Sequence, residues 1–170
     1  MPRTGLALTV CALLAPGIAP AKPLLLDSQQ TYMSACMAYD DSHARVRSIC
    51  QQALDQPGAS LRQRLEMLDS LAWAHYYLDD AAAAKQVFQQ MLDLDALSVD
   101  GLTGLAWIAY DADDYVGAGA LFERALGRSP NAQVLAGLGV SRYRADEIGL
   151  ERALECIDAA RAVDPGRSWG

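Results

Sequence analysis

The stretches that decide the fold are residues 68–92, LDSLAWAHYYLDDAAAAKQVFQQML, and residues 102–126, LTGLAWIAYDADDYVGAGALFERAL. They lie 34 residues apart and share ten identities. The matched pairs are Leu68/Leu102, Leu71/Leu105, Ala72/Ala106, Trp73/Trp107, Tyr76/Tyr110, Asp79/Asp113, Asp80/Asp114, Ala84/Ala118, Phe88/Phe122 and Leu92/Leu126. A period of about 34 residues is typical of a helix–turn–helix repeat unit. Because each unit has an apolar face that its neighbour covers, such units stack into a solenoid.

The same pattern of helical segments separated by breaks extends beyond this repeat in both directions. Apolar residues recur at helical spacing, and Pro and Gly interrupt them at Pro57-Gly58, Ser129-Pro130 and Pro165-Gly166. We therefore predict an all-α protein, an α-solenoid of about four stacked αα-hairpins. The predicted units are a degenerate hairpin over 24–57, repeats over 61–98, 99–131 and 132–165, and a short tail over 166–170. All belong to one domain, residues 22–170.

The repeats resemble the tetratricopeptide repeat (TPR) family. Residues 99–132 carry the resemblance best, through Leu102, Leu105, Ala106, Tyr110, Asp114, Tyr115, Ala118, Phe122, Ala125, Leu126 and Pro130. The resemblance implies a right-handed superhelix whose concave face binds other polypeptides. The chain is also similar to exported bacterial repeat proteins in which a Cys precedes an Ala-Leu pair. A second similarity, over residues 70–126, is to the cytosolic chaperones of type III secretion translocators.

The N-terminus has the three regions of a secretory signal peptide. Arg3 is the positive region, residues 5–15 are the short apolar region, and Ala19-Pro20-Ala21 is the cleavage site. We predict a signal peptide over 1–21 and an exported protein, periplasmic or secreted in a bacterium. The alternatives are a buried N-terminal helix of a cytosolic protein and a lipoprotein modified at Cys11.

Cysteines become informative in an exported chain, because disulfides persist in oxidising compartments. Cys36 and Cys50 are equidistant from residue 43, in the predicted turn of the first hairpin. Such residues lie side by side in an antiparallel hairpin, so we predict a disulfide between them. The alternative is two buried thiols. Cys156 is left over, either as a buried free thiol or as an intermolecular bridge.

An aromatic stripe runs along the first helices of the repeats. Its members share one helix face, which differs from the face that packs inside the repeats, and they are Trp73, Tyr76, Tyr77, Trp107, Tyr110 and Tyr143. By the resemblance, this is the concave face. Aromatic residues are frequent interface hot spots, so the stripe predicts binding of a peptide or protein. Alternatively, the rings pack on each other or on the first hairpin.

Other function classes find no support in the sequence. The net charge is −7 and the isoelectric point about 4.7, without a basic cluster for nucleic acid. We see no metal-ligand spacing, phosphate loop or nucleophile motif, and expect no enzyme, cofactor or small-molecule substrate. Asp69, Trp73, Thr103 and Trp107 occupy the positions of the family's carboxylate clamp and cannot supply its positive charge. The acidic pairs in the turns are read as helix caps.

The sequence thus predicts an adaptor or assembly factor of the bacterial cell envelope, which binds a polypeptide in an aromatic groove. One alternative is a cytosolic chaperone of type III secretion. The other is a self-assembling unit, a homodimer through the C-terminal face.

Overall fold

The computed structural model describes residues 28–38 and 42–166, and these ranges contain eight α-helices and no strand. The helices are α1 (Ser28–Met37), α2 (His43–Leu54), α3 (Leu61–Tyr77), α4 (Ala81–Leu94), α5 (Val99–Asp111), α6 (Tyr115–Leu126), α7 (Ala132–Arg144) and α8 (Leu150–Val163). They form four hairpins, which confirms the predicted all-α solenoid. The predicted signal peptide, the predicted start of the first helix at residue 24 and the tail residues 167–170 lie outside the described residues.

The helices form two layers, and the helices within one layer lie closer together than those within the other. Each helix contacts the next along the chain, and α1, α3, α5 and α7 also contact one another in order. Between α2, α4, α6 and α8 there are no such contacts within the described ranges. Because the odd-numbered helices approach more closely, the stack curves toward them. We call α1, α3, α5 and α7 the inner layer; it forms the concave face.

The hairpin turns explain the paired aspartates. Asp79 has a φ of 59° and ends α3: its N–H donates to the Tyr76 carbonyl, and the Asp80 N–H donates to the His75 carbonyl. The Asp80 carboxylate then caps α4 by accepting from the Ala83 N–H. The first aspartate therefore reverses the chain and the second starts the next helix. Residues 113 and 114 repeat both roles between α5 and α6.

Between hairpins, a fully buried phenylalanine lies against a glycine of the next inner helix. A Cβ at Gly104 would lie 2.2 Å from the Phe88 ring, and one at Gly137 would lie 2.3 Å from the Phe122 ring. Both phenylalanines have no exposed surface. The missing side chain therefore allows the next helix to approach, which is how one repeat docks on another.

The first hairpin is held differently. Cys36 and Cys50 form a disulfide with a Cα–Cα distance of 4.7 Å, and both are buried. The predicted pairing is confirmed. Cys156 is a half-buried free cysteine on α8. None of the described helices is both long and apolar enough to cross a membrane.

Candidate protein-binding site

The six aromatic residues of the predicted stripe all lie on helices of the inner layer. Tyr77 and Tyr143 are exposed, at 58% and 42% of their surface. Trp73, Tyr76, Trp107 and Tyr110 are half-buried. The two exposed tyrosines lie two hairpins apart, on α3 and α7. The half-buried rings lie on α3 and α5.

The two tryptophans contact the interior of their own repeats. The Trp73 ring meets Phe88 edge to face at 5.3 Å between centroids, and Trp107 meets Phe122 at the same 5.3 Å. Each tryptophan therefore belongs partly to the core, a role that the sequence pattern did not predict. Truncating either one would remove packing as well as a contact surface.

The rings on α3 also form a cluster with the first hairpin. Trp73 stacks on Tyr77 at 5.9 Å, and Tyr77 stacks on His43 of α2 at 4.7 Å. Tyr76 meets Trp73 edge to face at 5.3 Å. The rings thus pack on each other and on the first hairpin, as the alternative interpretation expected, yet Tyr77 keeps most of its surface exposed. Mutual packing holds the rings in place, half-buries Trp73 and Tyr76, and leaves Tyr77 exposed.

Polar contacts link neighbouring repeats near the C-terminal ends of the inner helices. The Tyr76 hydroxyl donates to Asp111 at 2.5 Å, joining α3 to α5. Burial, this bond and the Asp111 charge together raise the pKa of Tyr76. Farther along, the Arg144 guanidinium lies 4.8 Å from the centre of the Tyr115 ring and donates to its hydroxyl at 2.6 Å. These contacts tie three consecutive repeats together along one edge.

Buried polar atoms without a hydrogen-bond partner recur along the described inner helices. They are Asp69 Oδ1 on α3, Thr103 Oγ1 and Trp107 Nε1 on α5, and Ser141 Oγ on α7. Asp69 and Thr103 occupy equivalent positions in consecutive repeats. Buried polar atoms are almost always satisfied, so four such atoms on three consecutive inner helices are unusual. In the sequence, Asp69 and Thr103 stand out only as residues that cannot supply the positive charge of a carboxylate clamp.

Asp69 has the most perturbed carboxyl of the described residues. Burial, followed by the charge of Asp100, raises its pKa from the ordinary 3.8 to about 7, against a hydrogen bond from Trp73 that lowers it. Asp100 is exposed as a residue, but the surrounding protein partly desolvates its carboxyl and so raises the pKa of Asp100 as well. The Asp69 carboxyl therefore lacks a cation. The available signal in the sequence was an aspartate inside an amphipathic helix, on the face of the aromatic stripe.

A pocket of about 280 Å³ opens beside this carboxyl, between the first hairpin and α3. Its described lining includes Met37, His43, Val46, Asp69, Trp73 and Tyr77. We call it the α1–α3 pocket. It combines apolar walls and aromatic rings with one carboxylate. Within 28–38 and 42–166, no group of three or more His, Cys, Asp or Glu residues is arranged to hold a metal ion.

Comparisons with solved structures identify the fold. The chain is similar to MamA from Desulfovibrio magneticus RS-1, with 18% identity, a TM-score of 0.62, and 83% of this chain and 78% of that chain covered. It is similar to MamA of MSR-1, with 15% identity, a TM-score of 0.59, and coverage of 81% and 78%. It is also similar to YrrB, described as a TPR protein with an unusual peptide-binding site, with 18% identity, a TM-score of 0.58, and coverage of 84% and 73%.

The chain has the fold of tetratricopeptide repeat proteins, so the resemblance seen in the sequence is confirmed at the level of the fold. The sequence matches no protein-family model, and no curated protein matches it.

Proposed function

We propose that the protein is an interaction adaptor or assembly factor of the bacterial cell envelope that binds an extended polypeptide along its inner layer. One observation carries the proposal: aromatic side chains lie on three consecutive inner helices, α3, α5 and α7, and Tyr77 and Tyr143 among them are exposed. Exposed aromatic rings on a concave surface are what a partner's apolar side chains require for burial. This class of function is also supported by YrrB, a protein of the same fold that is described as having a peptide-binding site.

The rigidity of the surface supports binding with little ordering cost. Trp73 and Trp107 are each held by a buried phenylalanine, and Tyr76 is held by its bond to Asp111. Since association loses free energy whenever side chains must be ordered, rings already fixed in place favour affinity. The groove would thus bind a partner without rearranging.

The envelope location rests on two features. Residues 1–21 have the composition of a signal peptide, and Cys36 and Cys50 form a disulfide. Thiols in the bacterial cytosol are kept reduced. The disulfide therefore favours export over the alternative of a cytosolic type III secretion chaperone.

The test uses variants that spare the core. In a Tyr77→Ala/Tyr143→Ala protein two exposed rings are lost, whereas Leu94→Ala/Val116→Ala removes two exposed apolar side chains of the outer helices as a control. Proteins captured from a native envelope extract are identified, purified and titrated by calorimetry. The proposal expects a partner that binds the wild type and the control but loses at least about tenfold in affinity for the tyrosine variant. Equal affinity for all three would refute the groove.

Self-assembly through the C-terminal face is a second candidate, because α8 exposes Leu150 and Leu154 at 57% and 52%. It predicts a concentration-dependent dimer in light scattering that Leu154→Glu abolishes. A monomer at all concentrations would rule it out.

A further inference from the structure

We propose that the α1–α3 pocket accepts a lysine or arginine side chain of the bound polypeptide, with the Asp69 carboxylate as its counter-ion. This inference rests on the proposed function and gives it a specificity: the partner segment is apolar with a basic residue at a defined place. It concerns one end of the groove, where α1 and α2 meet α3.

The lining of the pocket matches the two parts of such a side chain. Met37, Val46, Trp73 and Tyr77 offer apolar and aromatic surface, and Asp69 offers the carboxylate. Lysine and arginine combine a long aliphatic stem with a charged head. A purely apolar side chain would fill the same space but would leave the carboxylate without a partner.

The Asp69 carboxylate indicates which kind of side chain the pocket would bind. Asp69 Oδ1 is buried and accepts no hydrogen bond, and the charge of Asp100 repels further negative charge there. Of the described residues that line the pocket, none is Lys or Arg. Leaving one partner of a buried charge pair alone is strongly unfavourable. A basic side chain in the pocket would place a positive charge beside the carboxylate and offset the repulsion from Asp100.

The surroundings also favour a cation. Trp73 and Tyr77 both line the pocket, and aromatic rings are frequent neighbours of Arg and Lys side chains. The inner helices add Asp100 and Asp111, and the whole chain carries a net charge of −7, which steers basic segments toward the protein. His43 is the titratable group of the lining that would oppose a cation, and only when protonated. The assay is run at about pH 8, above the pKa of about 7 of Asp69, so that this carboxyl carries its charge.

The experiment is a selection followed by a titration. A displayed library of random dodecapeptides is selected against the disulfide-bonded wild type, Asp69→Asn and Asp93→Asn. The last removes an exposed carboxylate of the outer helix α4 and has the same change in net charge. A selected peptide is then synthesised twice, with arginine and with citrulline, its neutral isostere, and both are titrated by calorimetry. Circular dichroism checks that each variant is folded.

The proposal expects Lys or Arg enriched at one position of the peptides selected by the wild type and by Asp93→Asn, but not by Asp69→Asn. The arginine peptide should bind the wild type at least about tenfold more tightly than the citrulline peptide, as close buried charge pairs do. Asp69→Asn should reduce this ratio to about one.

Two other outcomes overturn the inference and are distinguishable. Selected peptides without a basic position, or a ratio that survives in Asp69→Asn, would refute the pocket's specificity and leave the aromatic groove intact. No peptide enriched by any of the folded proteins would refute the groove together with the pocket.

Discussion

The buried carboxyl of Asp69 makes a sharp prediction about stability. Asp69→Asn keeps the shape of the side chain and an oxygen for the bond from Trp73, while it removes the ionisable group. We expect the variant to be more stable than the wild type at neutral and alkaline pH. The reason is that the wild type must either hold a desolvated charge or keep a proton that the unfolded chain has already lost.

The sign and the window follow from the pKa values. The folded pKa of about 7 exceeds the ordinary 3.8, so between these values the folded state binds more protons than the unfolded state. The wild type therefore loses stability as the pH rises from about 4 to about 7, and the loss is complete above that. A raised pKa of this size corresponds to an upper limit of about 4 kcal/mol, with roughly 2 to 3 kcal/mol of it developing between pH 5 and pH 8.

The assay is urea unfolding followed by far-ultraviolet circular dichroism at several pH values, with Asp93→Asn as the control. The quantity of interest is the difference in unfolding free energy between Asp69→Asn and the wild type, because other titrating groups cancel in it. This difference should grow with pH by about 2 kcal/mol or more, and the same difference for Asp93→Asn should stay flat. A difference independent of pH, or one that shrinks as the pH rises, would refute the idea that Asp69 is a desolvated carboxyl without a cation.

Three further predictions concern the scaffold. The Cys36–Cys50 disulfide links residues 14 positions apart, and its reduction should lower the free energy of unfolding by about 3 kcal/mol and the melting temperature by about 10 °C. Calorimetry in a Cys156→Ser background measures the melting temperature. An unchanged melting temperature would contradict the prediction. Gly137→Ala should destabilise the protein by about 1 to 2 kcal/mol, since the added Cβ would meet the Phe122 ring. Gly119→Ala should stabilise it by up to about 1 kcal/mol, because its Cβ would meet nothing nearer than 3.8 Å. Urea unfolding compares the two variants, and a change of the same sign in both would refute the close approach at Gly137. Asp79→Gly should stabilise by up to about 1 kcal/mol because its φ of 59° favours glycine; a loss of stability in thermal unfolding would show that the aspartate side chain matters more.

The sequence was most informative where local chemistry repeats. The 34-residue period indicated the hairpins, and α3 begins at Leu61, the first residue of the predicted repeat over 61–98. The placing of Cys36 and Cys50 about a turn predicted their pairing, because hairpin geometry follows from sequence distance alone. The double role of Asp79-Asp80 was only half predicted: helix capping was expected, but the positive φ of the first aspartate is visible only in the folded chain.

Contacts between repeats could not be predicted in the same way. Periodicity placed Trp73 and Trp107 on the aromatic face, but not against Phe88 and Phe122, because the tilt between paired helices decides that contact. Likewise, Asp69 reads as an ordinary polar residue of an amphipathic helix. Its burial comes from the surrounding fold, with the first hairpin on one side of the pocket and Asp100 of α5 supplying a second negative charge.

Asp69→Asn should raise the stability of the free protein and lower its affinity for a basic peptide. These opposite effects distinguish a binding residue from a residue that serves the packing of the fold. If the carboxylate served the fold, removing its charge would weaken the protein at every pH and leave peptide selection unchanged. If the carboxylate binds a cation of the partner, Asp69→Asn stabilises the free protein above neutral pH and abolishes the preference for arginine over citrulline. A bound basic side chain should also stabilise the ionised form of Asp69, so that the wild type with its peptide regains stability at about pH 8 that the free protein lacks. Thermal unfolding with and without the arginine peptide measures this gain, and at equal, saturating concentrations the gain should be about 1.4 kcal/mol smaller with the citrulline peptide, which binds about tenfold more weakly.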